Sequence, residues 1–127
     1  MPSIDANDFD ALVAALLPAL REAGRLEMAH FHRGVEIEKK ADRSPVTVAD
    51  REAEAVLLSA LAGIAPDVPA VAEEQISGGG ACEYAFRFFL VDALDGTRLF
   101  IRGKPEFSIN IGLVEDGRAR FGLIFLP

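Results

Sequence analysis

From Asp8 to His32 apolar residues recur at helical spacing: Phe9, Leu12, Val13, Leu16 and Leu20, then Met28 and Phe31. Asp10, Arg21, Glu22 and Arg25 largely fill the other face. The pattern predicts a long amphipathic helix. Pro18 is expected to kink it or break it in two, because proline lacks a backbone donor and its ring clashes with the preceding turn. Gly34 is placed at its end. Val35 to Lys39 alternates apolar and charged residues and predicts a short strand. After a loop from Lys40 to Pro45, Val46-Thr47-Val48-Ala49-Asp50 opens a second helix running to about Ala62. Ala49, Ala53, Val56, Leu57, Ala60 and Leu61 form its inner face, and Gly63 and Pro66 close it. Val68 to Ala72 predicts a short buried strand, with Glu73-Glu74 at its end.

Phe86 to Val91, apolar except for Arg87, predicts a further strand that ends in the turn Asp92-Ala93-Leu94-Asp95-Gly96-Thr97. Arg98 to Pro105 follows as a basic, glycine-containing connection. Phe107, Ile109, Ile111 and Leu113 then alternate with Ser108, Asn110 and Gly112 in a strand. Asp116-Gly117 makes a hairpin turn, and Ala119 to Phe125 returns. The elements predict layered α/β, that is an α+β fold, with two N-terminal helices on a mostly antiparallel sheet.

Half of the 127 residues are hydrophobic, which with this periodicity marks a globular chain of one domain's size. Twenty acidic against 13 basic residues give a net charge of -7, which disfavours nonspecific nucleic-acid binding and suits a site that concentrates carboxylates for metal. Cys82 is the single cysteine, so no intrachain disulfide forms and a reducing compartment is expected. No apolar run approaches the ~20 residues of a membrane span. Met1-Pro2-Ser3-Ile4-Asp5 lacks the positive region and apolar core of a signal peptide, so the expected location is cytoplasmic.

The candidate chemistry lies at the end of the Phe86 strand. Asp92, Asp95 and the carbonyl of Leu94 are hard oxygen donors of the kind Mg²⁺ takes, Gly96 permits a sharp turn, and Thr97 adds a hydroxyl. Taken alone, Asp95-Gly96 is equally an ordinary surface turn. Thr47 with Asp50 three residues on is similar to a capping box, so on local grounds Asp50 divides evenly between a helix start and a chemical role. Glu73-Glu74 alone reads as a surface pair. His30 and His32, two apart, point to different sides of a helix and read as solvated or helix-terminal rather than metal ligands. Ser77-Gly78-Gly79-Gly80 lacks the Gly-Lys-Ser/Thr ending of a P-loop. The cations of Arg98 to Lys104 either meet a substrate phosphate or are solvated.

Four blocks, taken in order, resemble the lithium-sensitive, Mg²⁺-dependent phosphatase superfamily of inositol monophosphatases, fructose-bisphosphatases and 3'(2'),5'-bisphosphate nucleotidases. They are Lys40-Ala41-Asp42-Arg43-Ser44-Pro45-Val46-Thr47-Val48-Ala49-Asp50, Ala72-Glu73-Glu74, Val91-Asp92-Ala93-Leu94-Asp95-Gly96-Thr97-Arg98 and Glu106-Phe107-Ser108-Ile109-Asn110-Ile111. Their wording is most similar to the CysQ-type nucleotidases. The resemblance implies that Glu73 binds metal, Asp92 bridges two metals, Leu94 lends its carbonyl and Asp95 holds the second metal. It implies that Asp50 and Thr97 pair to orient and activate a metal-bound water, and that Gly96 and Thr97 offer backbone donors to the phosphate. Lys40 and Asp42 would lie in a mobile loop that helps position a further, weaker metal, for two or three Mg²⁺ ions in the complete site. The fold implied is the N-terminal part of an αβαβα sandwich.

The implied activity is hydrolysis of the 3'-phosphate of adenosine 3',5'-bisphosphate to AMP and phosphate, as in sulfur assimilation. The alternatives are an inositol-monophosphatase-type activity and a catalytically inactive metal-binding or interaction module. Two departures bear on this: Ala93 stands where relatives usually have proline, and Leu99 where many nucleotidases have an acid. Relatives also carry a second half with a Trp-Asp-x-Ala motif that completes the second metal site, whereas this sequence has no Trp and stops at Pro127. The expectation is therefore a single N-terminal metal-binding domain, 1–127, that is a fragment or needs something else to complete it. Its catalytic competence alone is open, and its uncovered sheet is expected to favour self-association.

Overall fold

The structure, a computed structural model, describes residues 3–33, 37–39, 45–72 and 86–127. In chain order the elements are α1 (Phe9–Arg33), β1 (Ile37–Lys39), β2 (Pro45–Thr47), α2 (Val48–Ile64), β3 (Ala70–Ala72), β4 (Arg87–Asp95), α3 (Thr97–Ile101), β5 (Ser108–Glu115) and β6 (Arg118–Phe125). β1 and β2 form a small antiparallel pair. The main sheet has the order β3-β4-β5-β6, with β3 parallel to β4 and the other neighbours antiparallel.

α1 is one helix through Pro18, which corrects the expected break. Leu12, Leu16 and Leu20 are buried on one stripe either side of the proline. Pro18 and Ala14, whose carbonyl the proline leaves without its amide partner, are both exposed, so that carbonyl is open to solvent and packing holds the helix. α1 packs along α2, and α2 packs on the sheet through Ala53, Leu57 and Leu61 against Phe89, Val91 and Ile111. A second apolar cluster, Ala49, Leu94, Phe100 and Phe107, continues this core beneath Met28 and Phe31 of α1. His30 lies in the last turn of α1, a helix-terminal place as expected, and its Nε2 lies 3.0 Å from Oε2 of Glu52 on α2. His32 is exposed near the helix end.

The hairpin between β5 and β6 turns at Asp116 and Gly117, both with positive φ (51° and 73°), the requirement of a tight type I′ turn. β6 borders the sheet, and Ile124 and Leu126 at its end are exposed. Among the described residues no helix is long and apolar enough to cross a membrane.

Candidate active site

β4 does not stop at Val91 as the sequence suggested; it runs on to Asp95 and carries the two aspartates within the sheet. In a regular strand, residues three apart face opposite ways. Here Asp92 pairs with Asn110 and Asp95 with Ser108, three steps on β4 against two on β5, so the strand contains a bulge. Ala93 and Leu94 are both buried on the helix side. Asp92 and Asp95 consequently share one face with Asn110 and Ser108. Asn110 Nδ2 donates to Asp95 Oδ2 at 3.1 Å, and Ser108 Oγ donates to Asn110 Oδ1 at 3.3 Å. The extra residue also releases the Leu94 carbonyl from regular pairing.

That carbonyl lies 3.1 Å from Thr97 Oγ1, which is also 3.1 Å from Asp50 Oδ1. The other oxygen of Asp50 closes a capping box: Oδ2 accepts from Thr47 N at 3.0 Å and Thr47 Oγ1 at 2.5 Å, and Asp50 N donates to Thr47 Oγ1 at 3.3 Å. The two readings of Asp50 are therefore compatible, since one oxygen caps α2 and the other meets Thr97. Thr47 and Asp50 are almost wholly buried, which fixes the carboxylate against the core.

Thr97 reaches this position because it opens the short helix α3, which occupies the start of the basic, glycine-containing connection expected from Arg98 to Pro105. Gly96 precedes it with φ 93°, and a Cβ there would stand 2.8 Å from the Glu106 carbonyl. Backbone hand and close approach both demand glycine. Gly96→Ala is expected to cost about 3 kcal/mol, the upper end for one strained backbone position. Gly103→Ala, also at positive φ (74°) but with open space around the new Cβ, is expected to cost about 1 kcal/mol. Urea midpoints of the two variants check this.

Glu27 was not singled out in the sequence. It continues the buried stripe of α1 from Leu20 and Ala23 and is wholly buried, and among the described residues neither carboxyl oxygen has a hydrogen-bond partner. Burial, reinforced by the charges of Asp50 and Asp92, pushes its pKa up to about 9, so the acid is neutral at physiological pH. An acid at an apolar position of the helical period was the available signal.

A model of the inositol monophosphatase family matches residues 8–127. The chain belongs to the inositol monophosphatase family. Among curated family proteins, 3'(2'),5'-bisphosphate nucleotidase CysQ of Escherichia coli K12 is 40% identical over 93 residues, covering 73% of this chain and 38% of that protein. Thermotoga maritima fructose-1,6-bisphosphatase/inositol-1-monophosphatase is 36% identical over 109 residues, covering 85% and 41%. The structure of Thermotoga maritima IMPase superposes with a TM-score of 0.78 at 34% identity, covering 93% of this chain and 44% of that one. The chain thus spans about two-fifths of the length of the curated relatives it matches.

The family is a phosphatase family and is generally Mg²⁺-dependent. The described residues fit that ion in kind: two carboxylates on one face beside a carbonyl turned out by the bulge, an all-oxygen set that leaves positions for water and phosphate. Among the described residues no three acidic, histidine or cysteine side chains gather around one point. Of the residues that the sequence proposed, Asp50, Leu94 and Thr97 are joined by hydrogen bonds, Asp92 and Asp95 share a face, and Gly96 links β4 to α3. Glu73, Lys40 and Asp42 lie outside the described residues. β3 ends at Ala72, which pairs with Val91, one residue before Asp92. Asn110 was missed as a site residue, although its place in the polar alternation of β5 was visible. A cavity of about 640 Å³ opens beside Asp95 and Gly96, with Met28, Leu99 and Phe107 in its walls.

Proposed function

We propose that this chain supplies metal-binding and water-orienting groups of an Mg²⁺-dependent phosphomonoesterase that removes the 3'-phosphate of adenosine 3',5'-bisphosphate, giving AMP and phosphate. The observation that carries the reading is the bulge in β4, because it sets Asp92 and Asp95 on one face and leaves the Leu94 carbonyl next to the Asp50–Thr97 contact. The similarity to CysQ supports the nucleotide substrate.

In this reading Asp92, Asp95 and the Leu94 carbonyl would hold Mg²⁺ together with Glu73, which follows Ala72 in sequence. Bound Mg²⁺ supplies Lewis-acid neutralisation of the phosphoryl charge and a water of lowered pKa. Thr97 has a single hydroxyl proton. Donated in a hydrogen bond to Asp50, it leaves the lone pairs of the Thr97 oxygen free to accept from a water O–H and so orient that water toward phosphorus. Asp50, anchored by both Thr47 groups, holds that hydroxyl in place. The backbone N–H groups of Gly96 and Thr97 serve the phosphate oxygens, and Lys40 and Asp42 assist a further ion.

The test is Mg²⁺-dependent phosphate release by the purified chain from adenosine 3',5'-bisphosphate and from inositol 1-phosphate, with and without lithium, with Asp95→Asn as control. Release from the nucleotide that requires Asp95 is the expected result. Preference for inositol 1-phosphate would overturn the substrate, and Mg²⁺ binding without turnover would make the chain an incomplete enzyme.

A further inference from the structure

Glu27 is not used in the mechanism above, yet it occupies a position that α1 otherwise reserves for apolar side chains. Leu12, Leu16, Leu20 and Ala23 precede it on the same buried stripe, and Phe31 follows one turn later. Both of its oxygens are buried without a hydrogen-bond partner among the described residues, a state that costs stability compared with leucine at the same place. It is not isolated from the site. Within one turn of it, Met28 and Phe31 pack on the cluster of Ala49 of α2 and Leu94 of β4, the neighbours of Asp50 and the bulge, and the charges of Asp50 and Asp92 act on Glu27. A wholly buried acid, without a partner among the described residues and on the part of α1 that packs beside the site, marks a place where function outweighs packing.

Resting on the metal centre proposed above, we propose that Glu27 is a positioning residue, an interior acid whose O–H supports the Asp50 and Asp92 carboxylates through an interposed water. The absence of a direct bond from either Glu27 oxygen calls for such a bridge, and a buried water is held by polar groups of this kind. Carboxylates that ligate metal are themselves hydrogen-bonded, and loss of such an outer partner typically weakens metal binding about 10–100-fold.

Glu27→Leu and Glu27→Gln separate this role from a structural one. Mg²⁺ affinity is measured by calorimetric titration of the full chain, and melting temperature in EDTA. Glu27→Leu is expected to melt higher than the wild type and to bind Mg²⁺ at least about 10-fold more weakly. Glu27→Gln, which keeps a donor and an acceptor, is expected to bind within about threefold of the wild type. Wild-type binding that Glu27→Leu leaves unchanged would overturn the positioning role alone. A Glu27→Gln variant as weak as Glu27→Leu would overturn it too. A wild-type chain that binds no Mg²⁺ would remove the metal centre itself.

Discussion

Addition of Mg²⁺ at about one hundred times its dissociation constant is expected to raise the melting temperature of the chain by about 10 °C, and Asp95→Asn to erase the rise. A ligand at that excess contributes about 2.7 kcal/mol to a folded state that alone binds it, and about 1 kcal/mol moves the midpoint of a domain near this size by about 4 °C. The folded chain gathers what the unfolded chain disperses. The bulge holds Asp92 and Asp95 on one face, with buried Asp50 close by through Thr97. Before metal arrives these like charges oppose folding, and a divalent cation reverses that sign. Asp95 is exposed, and its contact with Asn110 survives amidation, because an asparagine oxygen still accepts from Asn110 Nδ2. Metal-free Asp95→Asn is therefore expected to melt no lower than the wild type. Scanning calorimetry in EDTA and in Mg²⁺ checks both halves; a rise that persists in the variant would place the ion elsewhere on this acidic chain.

The sequence displayed what local rules control. The helical stripe of α1, the Thr47–Asp50 box and the Asp116-Gly117 turn each depend on residues within a few positions of one another, and each forms as the pattern indicates. What escaped depends on partners distant in the chain. Asp92 to Asp95 looks like a turn because aspartate and glycine favour turns, yet pairing with Ser108 and Asn110 draws it into β4 as a bulge. Pro18 reads as a breaker, but buried leucines on both sides keep α1 whole and its exposed position spares the helix an unsatisfied buried carbonyl. Residues 98 to 105 read as a basic, glycine-containing connection, and the helix within it went unseen because its anchor is distant in the chain: Phe100 is buried against Phe107 and Phe31. The motif residues could be named from the resemblance, whereas the bulge that lets Asp92 and Asp95 face the same way could not.

Glu27 makes the metal-free chain sensitive to pH in a direction opposite to that of a salt-bridged carboxylate. Unfolded, its carboxyl titrates near the ordinary value of 4.5; folded, burial and the charges of Asp50 and Asp92 hold the proton on until about pH 9. Between these values the native state binds more protons than the unfolded state, so stability falls as pH rises. The contribution is fully present below pH 4.5, declines through neutrality and levels off above about pH 9. Each pH unit inside the window removes up to about 1.4 kcal/mol, a large share of the roughly 5–15 kcal/mol that holds a typical domain together. Other carboxylates titrate in the acid part of this range, so the informative quantity is the difference between wild type and Glu27→Gln, which carries no proton to lose there. Urea unfolding in EDTA at pH 5, 7 and 9 is expected to show Glu27→Gln gaining on the wild type at each step. Parallel curves would mean that Glu27 ionises in the folded chain much as it does in water, and its burial would then have to be relieved by water reaching the buried face of α1.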